Sequence, residues 1–232
     1  PGMRSYVANQ IALYLVAIHL GEQRGKLSSE DAGWLRNQLE KLGEAIEKTI
    51  ELNLKKTRDV SQSWLAENEF VFCGSGPSYA AALFSAAKIL EASGDPAMGQ
   101  DLEEWAHLQY FARKPGTPTF IISAGERDGS RAREVATAAL AIRRNVAVVT
   151  PQNKTELFPA NAKKLPLCND IPEIFQAVIS MLPGSLFAAF RAEQLGEPYF
   201  RDFAGGRSKE GGGGISRIRT SETQGLEYLQ EN

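Results

Sequence analysis

The 232-residue sequence contains only two cysteines and two histidines. Cys73 and Cys168 lie in apolar runs far apart in the sequence, a spacing that forms neither a disulfide framework nor a metal-ligand motif. We therefore expect a reducing, cytoplasmic environment and no metal or other cofactor. His19 lies on the apolar side of a predicted helix, where a packed histidine is more common than a ligand.

The charge and hydropathy of the sequence argue against two classes of partner. The net charge is −2, so bulk electrostatics do not attract nucleic acid, and no helix-turn-helix with a basic recognition helix is evident. No apolar run approaches the roughly 20 residues of a membrane-spanning helix, and residues 11–20 lack the basic start of a signal peptide. We expect neither a nucleic-acid partner nor a membrane partner.

The middle of the chain alternates apolar strands with helical segments. The predicted strands cover residues 70–73, 117–123, 146–150 and 163–168. The predicted helices cover residues 78–92, 101–107, 131–144 and 172–195, the last of which Pro183 must kink or restart. This alternation predicts an α/β fold, a three-layer α-β-α sandwich with a parallel sheet covered on both faces.

Three helical segments precede the first strand, at about residues 5–23, 28–55 and 57–65. Consecutive helices cannot belong to the strand–helix alternation, so they form a connector. We therefore divide the chain into a helical connector at residues 1–68, an α/β domain at 69–196 and a glycine-rich C-terminal tail at 197–232.

The first strand runs directly into a glycine-rich turn made of Gly74, Ser75, Gly76, Pro77 and Ser78. The first N–H groups of the following helix have no intrahelical partner, so an anion can bind there, and the serine hydroxyls add donors. The pattern fits a phosphate or hydroxyl cradle, and it also fits an ordinary turn of small residues. A dinucleotide-binding fold is disfavoured, because residue 79 is Tyr where the third glycine of that fingerprint belongs.

Ionisable side chains follow this turn at helical spacing. Lys88 and Glu91 are three residues apart, as are Glu104 and His107, so each pair shares a helix face. A carboxylate and an imidazole can move protons to and from the carbon and oxygen atoms of a sugar. The same spacing also fits surface pairs without a catalytic role.

These residues resemble the sugar isomerase (SIS) domain family. Residues 74–82 are similar to its first motif. Residues 86–91 and 104–107 resemble the ALKLKE…ExxHGP pattern of the second SIS domain of glucosamine-6-phosphate synthase. Residues 1–5 and the helices after them resemble the connector between that enzyme's two SIS domains, and residues 181–196 resemble its last helix. The resemblance implies an SIS-type, flavodoxin-like fold.

The resemblance also implies roles. Glu91 matches the glutamate that shuttles a proton between C1 and C2, His107 matches a histidine that assists ring opening, and Lys88 matches the lysine beside them. Glu104 matches the base of related fructosamine-6-phosphate deglycases. Lys209 is, by neighbourhood alone, the candidate for a tail lysine that opens the sugar ring as an imine.

The sequence departs from the family after His107, where Leu108-Gln109 replaces Gly-Pro. The Ser-x-Ser-Gly-x-Thr phosphate loop of a first SIS domain is replaced by residues 123–129, in which Glu126 and Asp128 would repel phosphate. We therefore expect the phosphate pocket in a preceding SIS domain that this chain lacks.

Together these features favour a phosphosugar enzyme, or half of one, that binds its substrate through residues 74–78 and Ser123. It would perform aldose–ketose isomerisation, or deamination or deglycation of an amino-sugar phosphate, by carboxylate-mediated proton transfer. The alternatives are a non-catalytic SIS module that senses a sugar phosphate and a structural dimerisation half. A homodimer is expected. The catalytic hypothesis requires Glu91, Glu104 and His107 to converge on Ser75.

Overall fold

The computed structural model describes residues 2–198, so Lys209 and the rest of the predicted tail from residue 199 onward lie outside the described residues. Helices α1 (Met3–Gln23), α2 (Ser29–Glu40) and α3 (Leu42–Ser63) come first. The sandwich then follows in the order β1 (Phe70–Gly74), α4 (Pro77–Ala92), β2 (Ala97–Asp101), α5 (Leu102–His107), β3 (Thr119–Ile122), α6 (Gly129–Ala141), β4 (Val146–Pro151), β5 (Lys163–Leu167), α7 (Glu173–Ser180) and α8 (Leu182–Leu195).

The five strands form one parallel sheet in the order β2-β1-β3-β4-β5. This is the flavodoxin-like order, in which ligands bind beyond the carboxyl ends of the strands. Strands β1, β3 and β4 are buried along their whole length, as expected of a sheet covered on both faces. The predicted three-layer α/β architecture is confirmed.

Alternate residues of the strands build two separate cores. On one face, Phe72 stacks on Phe120 with ring centroids 4.4 Å apart, and Phe187 of α8 meets Phe120 edge-on at 4.9 Å. Helices α3, α4, α7 and α8 cover this face. On the other face, Trp105 of α5 and the alanines of α6 pack against Cys73, Ile121 and Val148. The aromatic core fixes α4 and α8 against the sheet.

The connector differs from its prediction. No break occurs near residue 56, because α3 continues from Leu42 to Ser63, and the chain turns instead at Lys41. The turn falls there because Leu39 and Leu42, on either side of it, both point into the core. The prediction for Pro183 is confirmed, since α7 ends at Ser180 and α8 starts with Pro183 in its first turn.

The segment Glu173–Leu195 has the length and composition to span a membrane, with a mean hydropathy of 1.4. This departs from the prediction that no such run exists. The structure explains the apolar composition differently, since 67% of the segment's 18-residue apolar window is buried inside the fold, where α7 and α8 form one wall of the aromatic core.

Candidate functional site at the carboxyl edge of the sheet

A cavity of about 600 Å³ opens at the carboxyl ends of β1 and β3. We call it the carboxyl-edge cavity. The β1–α4 turn forms one wall and the β3–α6 loop forms another, so the two loops that the sequence places at one edge share one space. The lining residues are Tyr14, Ser75, Gly76, Pro77, Ser78, Ala124, Arg127, Asp128, Arg131, Glu173 and Ile174.

The β1–α4 turn depends on its glycines. A Cβ atom on Gly74 would lie 2.7 Å from the backbone oxygen of Ser78 and 2.9 Å from that of Ile122, so only glycine lets the first turn of α4 approach the sheet this closely. Gly76 has a φ of +53° and Pro77 opens the helix. The turn is therefore built to bring the start of α4 against the strand ends.

Two hydroxyl groups at this turn have no hydrogen-bond partner within residues 2–198. Ser78 is only 2% exposed, yet its hydroxyl makes no hydrogen bond and the residue lines the cavity. Ser75 is similar but less buried, and Gly76, the N-cap of α4, offers no side chain to cap the helix. A hydroxyl that has no protein partner and lines a cavity can donate to a ligand oxygen there.

The β3–α6 loop is closed by Asp128. Its Oδ1 accepts hydrogen bonds from Ser123 Oγ at 2.6 Å and from the Gly125 N–H at 3.3 Å. Ser123 is fully buried behind this loop and is not among the residues that line the cavity, and its predicted substrate contact stays a prediction. Burial raises the pKa of the Asp128 carboxyl, an effect partly offset by these hydrogen bonds.

The repulsion expected from the acidic residues of this loop is reduced by their contacts. The Asp128 carboxylate turns back onto its own loop, and Glu126 lies 3.7 Å from the ammonium of Lys154. Lys154 also donates to the Gly125 carbonyl oxygen at 3.3 Å, which ties the loop to the turn after β4. Asp128 Oδ1 is thus satisfied within its own loop, whereas Asp128 Oδ2 is buried without a hydrogen-bond partner among the described residues.

Two arginines supply positive charge, and they differ in their partners. Arg131 donates to both oxygens of Glu103 and lies 2.9 Å from Glu134. These hydrogen bonds hold the pKa of the Glu103 carboxyl below its usual range. The guanidinium of Arg127 has no acidic partner within residues 2–198, and only its backbone N–H contacts Glu173, at 3.2 Å. Arg127 is therefore the cation available to a bound anion.

Lys88 and Glu91 lie in a different place. The Lys88 ammonium, on a side chain only 9% exposed, hydrogen-bonds the Glu91 carboxylate and lies 4.6 Å from the centre of the Phe84 ring. The pair lines a separate space of about 260 Å³, which we call the Lys88–Glu91 pocket. Its other walls are Met3, Ala92, Ser185, Ala188, Ala189, Ala192, Glu197 and Pro198.

The structure does not bring the predicted catalytic residues together with Ser75. Helix α4 rises by about 21 Å from Pro77 to Glu91, so its two ends lie at opposite edges of the sheet. Glu104 and His107 are exposed on α5 and line neither cavity. Helical spacing predicts that two side chains share a helix face, but it does not predict which end of the sheet they reach. For this reason the predicted single pocket is not found among residues 2–198. The roles of Glu91, Glu104, His107 and Lys88 stay predictions.

Sequence reasoning missed several residues of the carboxyl-edge cavity. Tyr14 comes from the connector and donates its hydroxyl to the Ile174 carbonyl oxygen at 2.7 Å, which no local motif indicates. Glu173 and Arg131 belong to helices and gave no signal of their own. Arg127 lies within residues 123–129, and its positive charge between Glu126 and Asp128 could have indicated a contact to an anion. Among the described residues, no group of three His, Cys, Asp or Glu side chains could hold a metal ion.

Comparisons with known proteins agree with this architecture. No family model matches the chain. The glutamine–fructose-6-phosphate aminotransferase (isomerizing) of Gloeobacter violaceus is 24% identical over 193 residues, which cover 83% of this chain and 32% of that enzyme. The solved C-terminal domain of glucosamine-fructose-6-phosphate aminotransferase from Francisella tularensis matches with a TM-score of 0.72 and 15% identity, over 77% of this chain and 50% of that one.

The chain has an SIS-type fold. It is similar to the isomerizing aminotransferase over part of that enzyme, and it spans about a third of the length of this curated relative. A further solved structure, the Vibrio vulnificus NanR protein complexed with ManNAc-6P, shares the fold with a TM-score of 0.54 and 16% identity, over 88% of this chain and 81% of that protein. The likeness to both solved structures establishes the fold of this chain.

Proposed function

We propose that this SIS domain binds a phosphorylated sugar in the carboxyl-edge cavity, with the phosphate at the start of α4. The observation that carries the proposal is the Ser78 hydroxyl, which makes no hydrogen bond within residues 2–198 and belongs to a residue that lines that cavity. The hydroxyls of Ser75 and Ser78 would donate to phosphate oxygens, and Arg127 would approach from the facing loop. The carboxylates of Glu173 and Asp128 offer acceptors for sugar hydroxyls.

The related proteins support a phosphosugar ligand. Glucosamine-fructose-6-phosphate aminotransferase is named for such a substrate, and the NanR structure contains ManNAc-6P. NanR is covered over most of its length, whereas the aminotransferase is covered only in part. A sugar-phosphate-sensing module is therefore a function that one such domain could perform by itself.

A second candidate function is catalysis at the Lys88–Glu91 pocket. The observation in its favour is a nearly buried ammonium paired with a carboxylate in a pocket otherwise lined mainly by alanines. Glu91 would carry a proton between C1 and C2 of an open-chain sugar phosphate, which is the step common to isomerisation, deamination and deglycation. No arginine lines this pocket within the described residues. The groups that bind the phosphate would then belong to a preceding SIS domain. Glu104, His107 and Lys209 do not line this pocket among the described residues, so any part they play in the reaction would require them to reach it from outside.

Binding measurements on matched serine variants separate the two sites. Ser78 lines the carboxyl-edge cavity and Ser185 lines the Lys88–Glu91 pocket, so each Ser→Ala change removes one hydroxyl from one site. We expect calorimetry with glucosamine 6-phosphate to show affinity reduced about 2- to 12-fold by Ser78→Ala, since a hydrogen bond contributes ~0.5–1.5 kcal/mol. Ser185→Ala should leave affinity unchanged. The reverse pattern would move the ligand to the Lys88–Glu91 pocket.

Catalysis has its own readout. In the 232-residue chain, NMR in D2O would detect deuterium entering C1 or C2 of fructose 6-phosphate or glucosamine 6-phosphate. Glu91→Gln should reduce that exchange at least about a hundredfold while sparing affinity, because one general base typically contributes that much. Exchange that persists in Glu91→Gln would remove Glu91 from the reaction.

A further inference from the structure

The carboxyl-edge cavity takes one of its walls from the connector rather than from the sandwich. Tyr14 of α1 lines the cavity together with Glu173 and Ile174 of α7. The Tyr14 hydroxyl donates to the Ile174 carbonyl oxygen at 2.7 Å, and its ring meets the Phe175 ring edge-on, with the centroids 4.9 Å apart. The shape of the site therefore depends on the position of α1 against the sandwich.

Helix α1 is less buried than the other long helix of the connector. Of its 21 residues only Ile18 is buried, whereas α3, with 22 residues, has seven buried residues. Five other side chains of α1 are partly buried against the core: Met3, Tyr6, Val7, Ile11 and Tyr14. Elements that make few buried apolar contacts open locally at a lower free energy than the whole fold. We expect α1 to undock and redock while the sandwich stays folded.

Tyr14 differs chemically from the other described residues that line the cavity. It is the one aromatic residue among them, and the others are small, aliphatic, hydroxyl-bearing or charged. Because the proton of its hydroxyl is already donated to Ile174, the ring is the part of Tyr14 that remains for a ligand. An aromatic ring gains most by burying apolar surface, and the C–H groups of a sugar ring provide such surface. Tyr14 therefore suits the sugar, whereas the serines and Arg127 suit the phosphate.

We infer that the bound sugar packs against Tyr14 and thereby holds α1 on the sandwich. The inference rests on the proposed function, because it places the phosphosugar in the carboxyl-edge cavity. With α1 docked, the ligand contacts Tyr14 as well as the serines and Arg127, and with α1 undocked it loses the contact to Tyr14. A ligand that binds one of two states more tightly shifts the equilibrium toward that state. The docking of the connector would then be the output of a sugar-phosphate-sensing module.

The test is amide hydrogen exchange of the 232-residue chain with and without saturating glucosamine 6-phosphate. Helices in proteins owe most of their stability to packing, so the amides of α1 exchange when this helix undocks. The contact to Tyr14 should raise affinity about tenfold, or about 1.4 kcal/mol, which is less than the full burial of a large apolar side chain contributes. Since coupling is reciprocal, the ligand should slow exchange of residues 10–18 by the same factor.

Variants at two tyrosines of α1 separate the ligand contact from the docking of the helix. Tyr14→Ala should bind about tenfold more weakly in calorimetry, and its α1 amides should exchange at the same rate with and without ligand. Tyr14→Phe keeps the ring and should retain the slowing. The matched control is Tyr6→Ala, since Tyr6 stacks on Phe84 of α4 with ring centroids 3.9 Å apart and does not line the cavity. Its α1 amides should exchange faster than those of the wild type, yet the ligand should still slow them about tenfold.

The possible failures of the inference and of the proposed function can be told apart. A wild type that binds the ligand while its α1 amides exchange at an unchanged rate would overturn the inference and leave the proposed function in place. This comparison needs no variant, so it decides even if Tyr14→Ala does not fold. Equal slowing in the wild type and in a folded Tyr14→Ala would also overturn the inference, because Tyr14 would then not couple the ligand to α1. A wild type that shows no binding in calorimetry would remove both.

Discussion

The strongest prediction of the account concerns the two arginines of the carboxyl-edge cavity, which differ in their partners. Arg131 is already neutralised by Glu103 and Glu134, whereas the Arg127 guanidinium has no acidic partner among the described residues. A bound phosphate would therefore gain a charge-assisted hydrogen bond from Arg127 that Arg131 cannot match without giving up existing bonds. Such bonds contribute ~1.5–3 kcal/mol, so Arg127→Ala should weaken phosphosugar binding about 10- to 150-fold.

The matched control is Arg131→Ala, which also removes a cation from the cavity lining but should weaken binding less than about 5-fold, because its charge is screened by its own carboxylates. Calorimetry with glucosamine 6-phosphate measures both variants, and unphosphorylated glucosamine shows whether the loss belongs to the phosphate. The reasoning fails if Arg127→Ala binds within 3-fold of the wild type or if Arg131→Ala suffers the larger loss.

Three further predictions concern the groups that hold this site and the core. Because the pKa of Asp128 is raised in the folded state, this carboxyl contributes most to stability below its unfolded pKa, and that contribution is lost as pH rises through the folded pKa. Asp128→Asn should therefore make the free energy of unfolding less dependent on pH over that range. It should also raise the Tm at pH 7. Arg191, 2% exposed, donates to Asp95 and to the carbonyl oxygens of residues 64, 65 and 67, so Arg191→Met should cost ~3–5 kcal/mol and lower the Tm by about 10 °C. Gly74→Ala should lower the free energy of unfolding measured in urea by ~1–3 kcal/mol, because the added Cβ atom would displace the first turn of α4. The same displacement should weaken sugar-phosphate binding. An unchanged affinity would show that the β1–α4 turn does not contact the ligand.

Local patterns predicted the sheet well where strands are apolar and continuous. The runs at β1, β3, β4 and β5 were all found, because buried parallel strands are apolar on both faces. Strand β2, Ala97–Asp101, was missed because an edge strand with Met98, Gly99 and Gln100 has neither the apolar continuity nor the β-branched residues of a typical strand.

Some residues of the candidate site could likewise be predicted from local sequence patterns, and others could not. Ser75 and Ser78 were predicted from the turn itself, because the strand–turn–helix pattern fixes their place at the strand end. The partners of this turn were not, since Tyr14 arrives from the connector and Glu173 from α7, over distances in sequence that no motif spans. The position of Glu91 was misjudged although helix rise alone places it about 21 Å from the turn.

The central claim is that a sugar phosphate binds at the carboxyl edge of the sheet. The most direct measurement is a crystal structure of the chain grown with glucosamine 6-phosphate. We expect phosphate density between the hydroxyls of Ser75 and Ser78 and the guanidinium of Arg127. Density confined to the Lys88–Glu91 pocket, with the carboxyl-edge cavity holding only solvent, would contradict it.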